Sequence, residues 1–205
     1  SVPLVVTSHT WENAKNEQSH QDPTIGEALL GEMADTARVL FPVDANSALA
    51  AMRSVYAGRG QVACLIASKR ALPQRLSRER AIHLAEDGAL HVHGVVNGAD
   101  VQLVAIGAYQ LEECLKAAHR LETRGCRPLV TLLLEPARFR APRDEIEAAV
   151  TVNDTVLHAS FPRGLPRVIA SHTRPEPMIG LLRRIDEGPR STTALGNISH
   201  GGTLD

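Results

Sequence analysis

Residues 61–69 read QVACLIASK, an unbroken apolar run closed by Ser68 and Lys69. A run this short, apolar on both alternating faces, predicts a strand covered on each side, as in the parallel sheet of an α/β protein. Its two polar residues fall at the carboxyl end, where open α/β sheets bind ligands. Lys69 is therefore a candidate phosphate-holding cation, with an exposed strand-end lysine as the plainer alternative.

The flanking sequence extends the same alternation. Residues 3–8 (PLVVTS) read as a buried strand that opens into a loop from His9 to Pro23. Residues 24–40 (TIGEALLGEMADTARVL) begin at a plausible cap, Thr24, with Ile25, Ala28, Leu29 and Met33 at helical spacing, and run into a strand at 37–44 (ARVLFPVD). Asp44 can cap the next helix, with Leu49, Met52, Val55 and Tyr56 as its inward stripe and Gly58 or Gly60 as its stop.

From residue 70 the arginine- and proline-bearing stretch RALPQRLSRERAIHLAEDGALHVHG changes character, which places a linker between two α/β blocks. The expected division is 1–75, a linker at 76–90, and 91–205. The second block repeats strand, helix and strand in 100–108, 110–125 and 128–136, a βαβ unit. Beyond it, 141–150 reads as a short helix and DTVLHASF (154–161) and PRVIASH (166–172) as strands. The tail from Thr192 shows no periodicity.

Composition narrows the function classes. Lys+Arg 22 against Asp+Glu 23 leaves a net charge of -1 over 205 residues, so no long-range field gathers nucleic acid or an anionic membrane. Cys64, Cys114 and Cys126 are odd in number and widely spaced, which indicates neither a disulfide framework nor a zinc site and fits a reducing cytoplasm. The N-terminus has no basic, apolar leader pattern, and no segment approaches the roughly 18 apolar residues of a membrane span. His91 and His93 alternate along an extended segment and would share one face, yet no third ligand follows, so no metal site is expected.

Residues 15–24, KNEQSHQDPT, concentrate an ammonium, amides, a hydroxyl and the His20 imidazole ahead of a proline. On the residues alone this reads first as a hydrogen-bonded loop in which Asn16, Ser19 and Asp22 satisfy turn backbone, with an acid/base role for His20 as the alternative. Trp11, the single tryptophan, reads as core or as a pocket wall.

Four segments then carry a resemblance. TSHTWENAKNEQSHQDP (7–23) resembles the phosphoketolase segment Ser-His-x-Trp followed by His-Asn-Gly-Phe-Ser-His-Gln-Asp-Pro. RVLFPVDANSALAAM (38–52) is similar to that family's Arg-Val-Tyr-Leu-Pro-Pro-Asp-Ala-Asn segment. Residues 68–90 are similar to its Gly-Lys-Gln, Leu-Ser, Ala and Gly-Ala run, and GGTLD (201–205) to its glycine-rich approach to the C-terminal helix. Transketolases share the first element more distantly.

The resemblance implies a three-layer αβα fold: part of a pyrimidine-binding-type parallel sheet in 1–75, then a transketolase C-terminal-like mixed sheet domain in 91–205. It implies a lyase that cleaves xylulose 5-phosphate or fructose 6-phosphate with inorganic phosphate, giving acetyl phosphate and an aldose phosphate. The cofactors of the full-length enzyme would be thiamine diphosphate and Mg2+, held by residues outside this chain, with none bound by the chain alone, which by itself would be inactive. A homodimer or higher homo-oligomer is implied as well.

Carried over by position, His20 matches the histidine at the substrate's reacting end, Asn16 the phosphate-loop asparagine and Lys69 the lysine that grips substrate phosphate. Lys15 stands where the family has histidine and keeps a cation beside the anion. Glu17 and Gln18 replace a glycine and an aromatic, and Glu12 replaces an arginine. These departures leave room for a related pentulose-phosphate activity, such as 3-epimerisation or transketolase-type transfer, and for a non-catalytic dimerisation or regulatory module.

Overall fold

The computed structural model describes residues 1–7 and 23–197. Two sheets carry the chain. The first is wholly parallel and holds β1 (Val2–Val6), β3 (Val62–Ile66) and β2 (Ala37–Leu40) in the order β1-β3-β2. The second runs β4-β6-β5-β7-β8, from β4 (Ala89–His93), β6 (Pro128–Leu133), β5 (Val101–Ile106) and β7 (Arg167–Ser171) to β8 (Thr192–Leu195). Its β4 is antiparallel to β6 and every other pairing is parallel. The expected α/β architecture, a parallel sheet followed by a mixed one, is what the chain adopts.

The apolar reading of QVACLIASK has a direct cause. Ala63 and Leu65 face α2 (Ala45–Ala57), while Cys64 and Ile66 face α1 (Thr24–Gly31), so both sides of β3 lie under helices. Each core continues past the first sheet into the second. Val39, Phe41 and Ile66 pack in one cluster with Leu133, Ile106 and Ile169, and Leu40 and Leu65 in the other with Leu103, Ala105 and Leu132. The backbone joins as well, since Phe41 N–H donates to the Leu134 carbonyl at 2.9 Å.

Residues 76–90 contain α3 (Arg78–Asp87), which Ser77 caps and which packs on α2, and the first residues of β4. Asp44 caps α2 as expected, accepting from Ser47 N–H at 2.8 Å. Its other oxygen accepts from Gln74 Nε2 and from the N–H groups of Arg75 and Leu76, fixing the segment that leads into α3. Burial opposes the charge on Asp44, and the hydrogen bonds overcome it, holding the carboxyl below its usual range. In the second block β5, α4 (Ala108–Glu122) and β6 form the expected βαβ unit.

Several local readings are corrected. Among the described residues β1 is an edge strand that pairs only with β3, with Val2 66% and Val5 51% exposed. Pro23, not Thr24, holds the cap position of α1, with no side-chain bond, and its buried residues are Gly26 and Leu30 while Ile25 is exposed. On α2 the buried face is Ser47, Ala50, Ala51 and Val55. Leu49 and Tyr56 point outward, because small residues let this helix lie close on its sheet.

Further along, residues 154–160 of DTVLHASF form helix α6 (Asp154–Ser160), not a strand, because the Asn153 side chain caps Val156 N–H at 3.0 Å. The segment 141–150 does hold helix α5 (Glu145–Val150), and α7 (Pro175–Leu181) follows β7. Part of the aperiodic tail forms β8, paired with β7. His91 and His93 do not share a face: a bulge lies between them, His91 bonding Thr131 Oγ1 and the Ala159 carbonyl, His93 bonding Glu122.

Candidate functional site

β1 and β3 run parallel with Val6 opposite Ile66, and Ala67 N–H donates to the Val6 carbonyl at 2.9 Å. The chain after β1 therefore departs from the same end of the sheet as Ser68 and Lys69. Ser68 closes a tight turn there, its Oγ accepting from Arg70 N–H at 2.9 Å and donating to the Arg70 carbonyl at 3.1 Å. Lys69 sits inside that turn, exposed and engaged in contacts of its own.

The return of the chain is anchored at the same end. Gly26, in the first turn of α1, lies so close to the last residue of β3 that an added Cβ would stand 2.9 Å from Ile66 Cδ1. Both flanks of residues 8–22 thus meet at the carboxyl ends of β1 and β3, beside Lys69. Lys15, Asn16 and His20 lie outside the described residues, as do Trp11, Glu12, Glu17, Gln18 and the GGTLD tail.

The second sheet contributes a group that the sequence reading did not single out. At the carboxyl end of β7, Arg174 N–H donates to Glu27 Oε1 at 2.7 Å and its Nη1 to Glu27 Oε2 at 2.5 Å, tying β7 to α1. His172, buried two residues earlier, lies against the Phe41 ring with centroids 5.8 Å apart. The signal that could have found both is the one that marked Lys69: in RVIASHTR an apolar strand again gives way to polar groups at its carboxyl end.

Among the described residues no cluster of three or more His, Cys, Asp or Glu side chains could hold a metal ion. No helix among them is long and apolar enough to cross a membrane.

Two sheets meeting in this order define a transketolase-like α/β fold. The transketolase of Campylobacter jejuni subsp. jejuni NCTC 11168 superposes with a TM-score of 0.62 over 98% of this chain and 27% of its own, at 15% identity, a likeness of fold alone. By sequence the chain is phosphoketolase-like. The family model for D-xylulose 5-phosphate/D-fructose 6-phosphate phosphoketolase matches residues 1–58. A probable phosphoketolase of Bifidobacterium animalis subsp. lactis (strain AD011) is 24% identical over 190 residues, which is 89% of this chain and 23% of that protein. One from Pediococcus pentosaceus (strain ATCC 25745 / CCUG 21536 / LMG 10740 / 183-1w) is 34% identical over 125 residues, 59% of this chain and 16% of that protein. The chain thus spans less than a quarter of the length of these relatives.

Proposed function

We propose that this chain contributes the end of the pyrimidine-binding domain (1–75), a connecting segment (76–90) and the C-terminal domain (91–205) of a phosphoketolase-like enzyme. The reaction is cleavage of xylulose 5-phosphate or fructose 6-phosphate with inorganic phosphate, yielding acetyl phosphate and an aldose phosphate. The observation that carries this reading is the parallel pairing of β1 with β3, which starts the segment bearing Lys15, Asn16 and His20 from the sheet end that presents Lys69.

In this reading Lys69 and Lys15 bind the sugar's phosphate through charge-assisted hydrogen bonds, with the Asn16 amide as a neutral donor. His20 serves the reacting end, where an imidazole that titrates near neutrality can hold or pass a proton. When bound, thiamine diphosphate supplies the carbanion chemistry. None of the residues named here is assigned to that cofactor or to Mg2+. The phosphate end of the substrate is then held from both loops and its reacting end from the 8–22 segment, and assembly as a homo-oligomer accords with the resemblance.

The test is acetyl phosphate formation from xylulose 5-phosphate by the holoenzyme, with the polypeptide that carries the diphosphate-binding domain present. Lys69→Ala is expected to raise KM roughly tenfold or more through loss of a charge-assisted contact, and His20→Ala to lower kcat by about 10²–10⁴. Equal rates in wild type and both variants would refute the site. Transfer of the two-carbon unit to an aldose, without acetyl phosphate, would replace the reaction by a transketolase-type one.

A further inference from the structure

The C-terminal end of α1, away from Lys69, abuts a pocket of about 250 Å³ lined by Arg140, Ala141, Arg143, Gly180, Leu181 and Arg183. Among the described residues its charged lining groups are three guanidinium ions. Glu147 lies fully buried behind two of them, 2.9 Å from Arg143 Nη2 and 3.5 Å from Arg140 Nε. One buried carboxylate thus answers three cations. Glu32 and Asp144 also act on Arg143, but both are exposed, where water screens them.

The donors left over are specific. Arg140 Nη1 donates to the Leu30 and Glu32 carbonyls, while its Nε is buried without a hydrogen bond and its Nη2 makes none among the described residues. Arg143 uses Nε and Nη2 on Glu147 and on the Glu32 carbonyl, and spends one Nη1 hydrogen on the Gly31 carbonyl. The Arg183 side chain is exposed and makes no hydrogen bond or ion pair among the described residues, its carbonyl alone accepting from Asp186 N–H. Burial foremost, with a smaller effect of the Arg143 charge, depresses the Arg140 guanidinium despite Glu147, whereas the Glu147 hydrogen bond raises Arg143.

We infer that this pocket is a binding site for a phosphate-class anion, distinct from the Lys69 end of the sheet. Guanidinium forks match the several acceptor oxygens of a phosphoryl group. The volume suits inorganic phosphate, pyrophosphate or the head of a phosphate monoester. The same arginines grip the last carbonyls of α1, so an anion held there would brace the helix that follows residues 8–22. The inference does not depend on the enzymatic reading.

The experiment titrates pyrophosphate, and separately inorganic phosphate, into the protein at fixed ionic strength, by calorimetry and thermal unfolding. Wild type is compared with Lys69→Ala, Arg183→Ala and Arg183→Glu. Arg183 lies outside the Glu147 cluster, so its variants are expected to fold, which circular dichroism checks. Saturable binding is expected in wild type and in Lys69→Ala, roughly tenfold weaker in Arg183→Ala and absent in Arg183→Glu. No saturable binding in wild type, or equal affinity in Arg183→Ala, overturns the site. Binding lost in Lys69→Ala but kept in Arg183→Ala also overturns it, by placing the anion at the sheet's carboxyl end.

Discussion

Arg38 and Glu135, 97 residues apart, face each other fork to fork, Nε to Oε1 at 2.7 Å and Nη2 to Oε2 at 2.8 Å. The pair joins β2 of the first sheet to the residues that follow β6 of the second, and its side chains are 13% and 4% exposed. The hydrogen bond to Glu135 raises the Arg38 pKa against the opposing effect of burial. Glu135→Ala should therefore cost about 3–5 kcal/mol in urea unfolding, because it strands a guanidinium out of water. The double variant Arg38→Met/Glu135→Leu should recover much of that loss. A double variant as unstable as the single one would count against the desolvation argument.

Glu147 is a second long-range tie, accepting from Ala34 N–H at 2.9 Å across 113 residues. Burial disfavours its charge, but bonds from Arg143, from the Ala34 and Arg143 backbone N–H groups and the Arg140 charge outweigh that, holding its pKa down at about 2. A carboxyl lowered from 4.5 contributes stability that is complete above pH 4.5 and is lost as pH falls toward 2. A shift of that size corresponds to about 3 kcal/mol. Melting temperature should drop over this window in wild type and less steeply in Glu147→Gln, which starts lower. Parallel acid profiles would contradict this.

The contact between Gly26 and Ile66 predicts a reversal of sign. Gly26→Ala improves helix propensity, yet the added methyl would meet Ile66 Cδ1 at 2.9 Å in a filled core, so a net loss of about 1 kcal/mol is expected. In an Ile66→Val background, which removes Cδ1, the same change should become neutral or stabilising. An equal cost in both backgrounds would show that the methyl meets something else.

The cysteines should separate by rate. Burial pushes Cys64 up to about 11, and burial with Glu113 pushes Cys114 up to about 12. Cys126 is only partly buried. Since the thiolate is the nucleophile, a disulfide reagent on native protein should modify Cys126 promptly and the other two only on unfolding. Three equally fast thiols would mean that the two buried ones open readily.

Local chemistry made part of this legible. An apolar run closed by Ser68 and Lys69 reported a doubly covered strand and its carboxyl end, and Asp44 ahead of an amphipathic stretch reported a cap. The reading failed where size mattered more than hydropathy. Ala50 and Ala51 are buried on α2 while Leu49 and Tyr56 are not, because close helix-to-sheet approach selects small side chains. Residues 154–160 look strand-like in composition, yet the Asn153 cap decides for helix. Arg38–Glu135 and the Glu147 cluster join residues about a hundred positions apart, which no local pattern encodes. Of the candidate site, only the Lys69 end and the two flanks of residues 8–22 fall within the described residues.

The strand order of the first sheet governs when it can assemble. Among the described residues its middle position belongs to β3, the last of the three to leave the ribosome, so β1 and β2 have no partner among those residues until Val62–Ile66 emerges. Through that interval the nascent chain carries two apolar segments awaiting a common partner. Parallel pairing across such separations is intrinsically slow, and this stretch of synthesis is where a holdase chaperone would have most to shield.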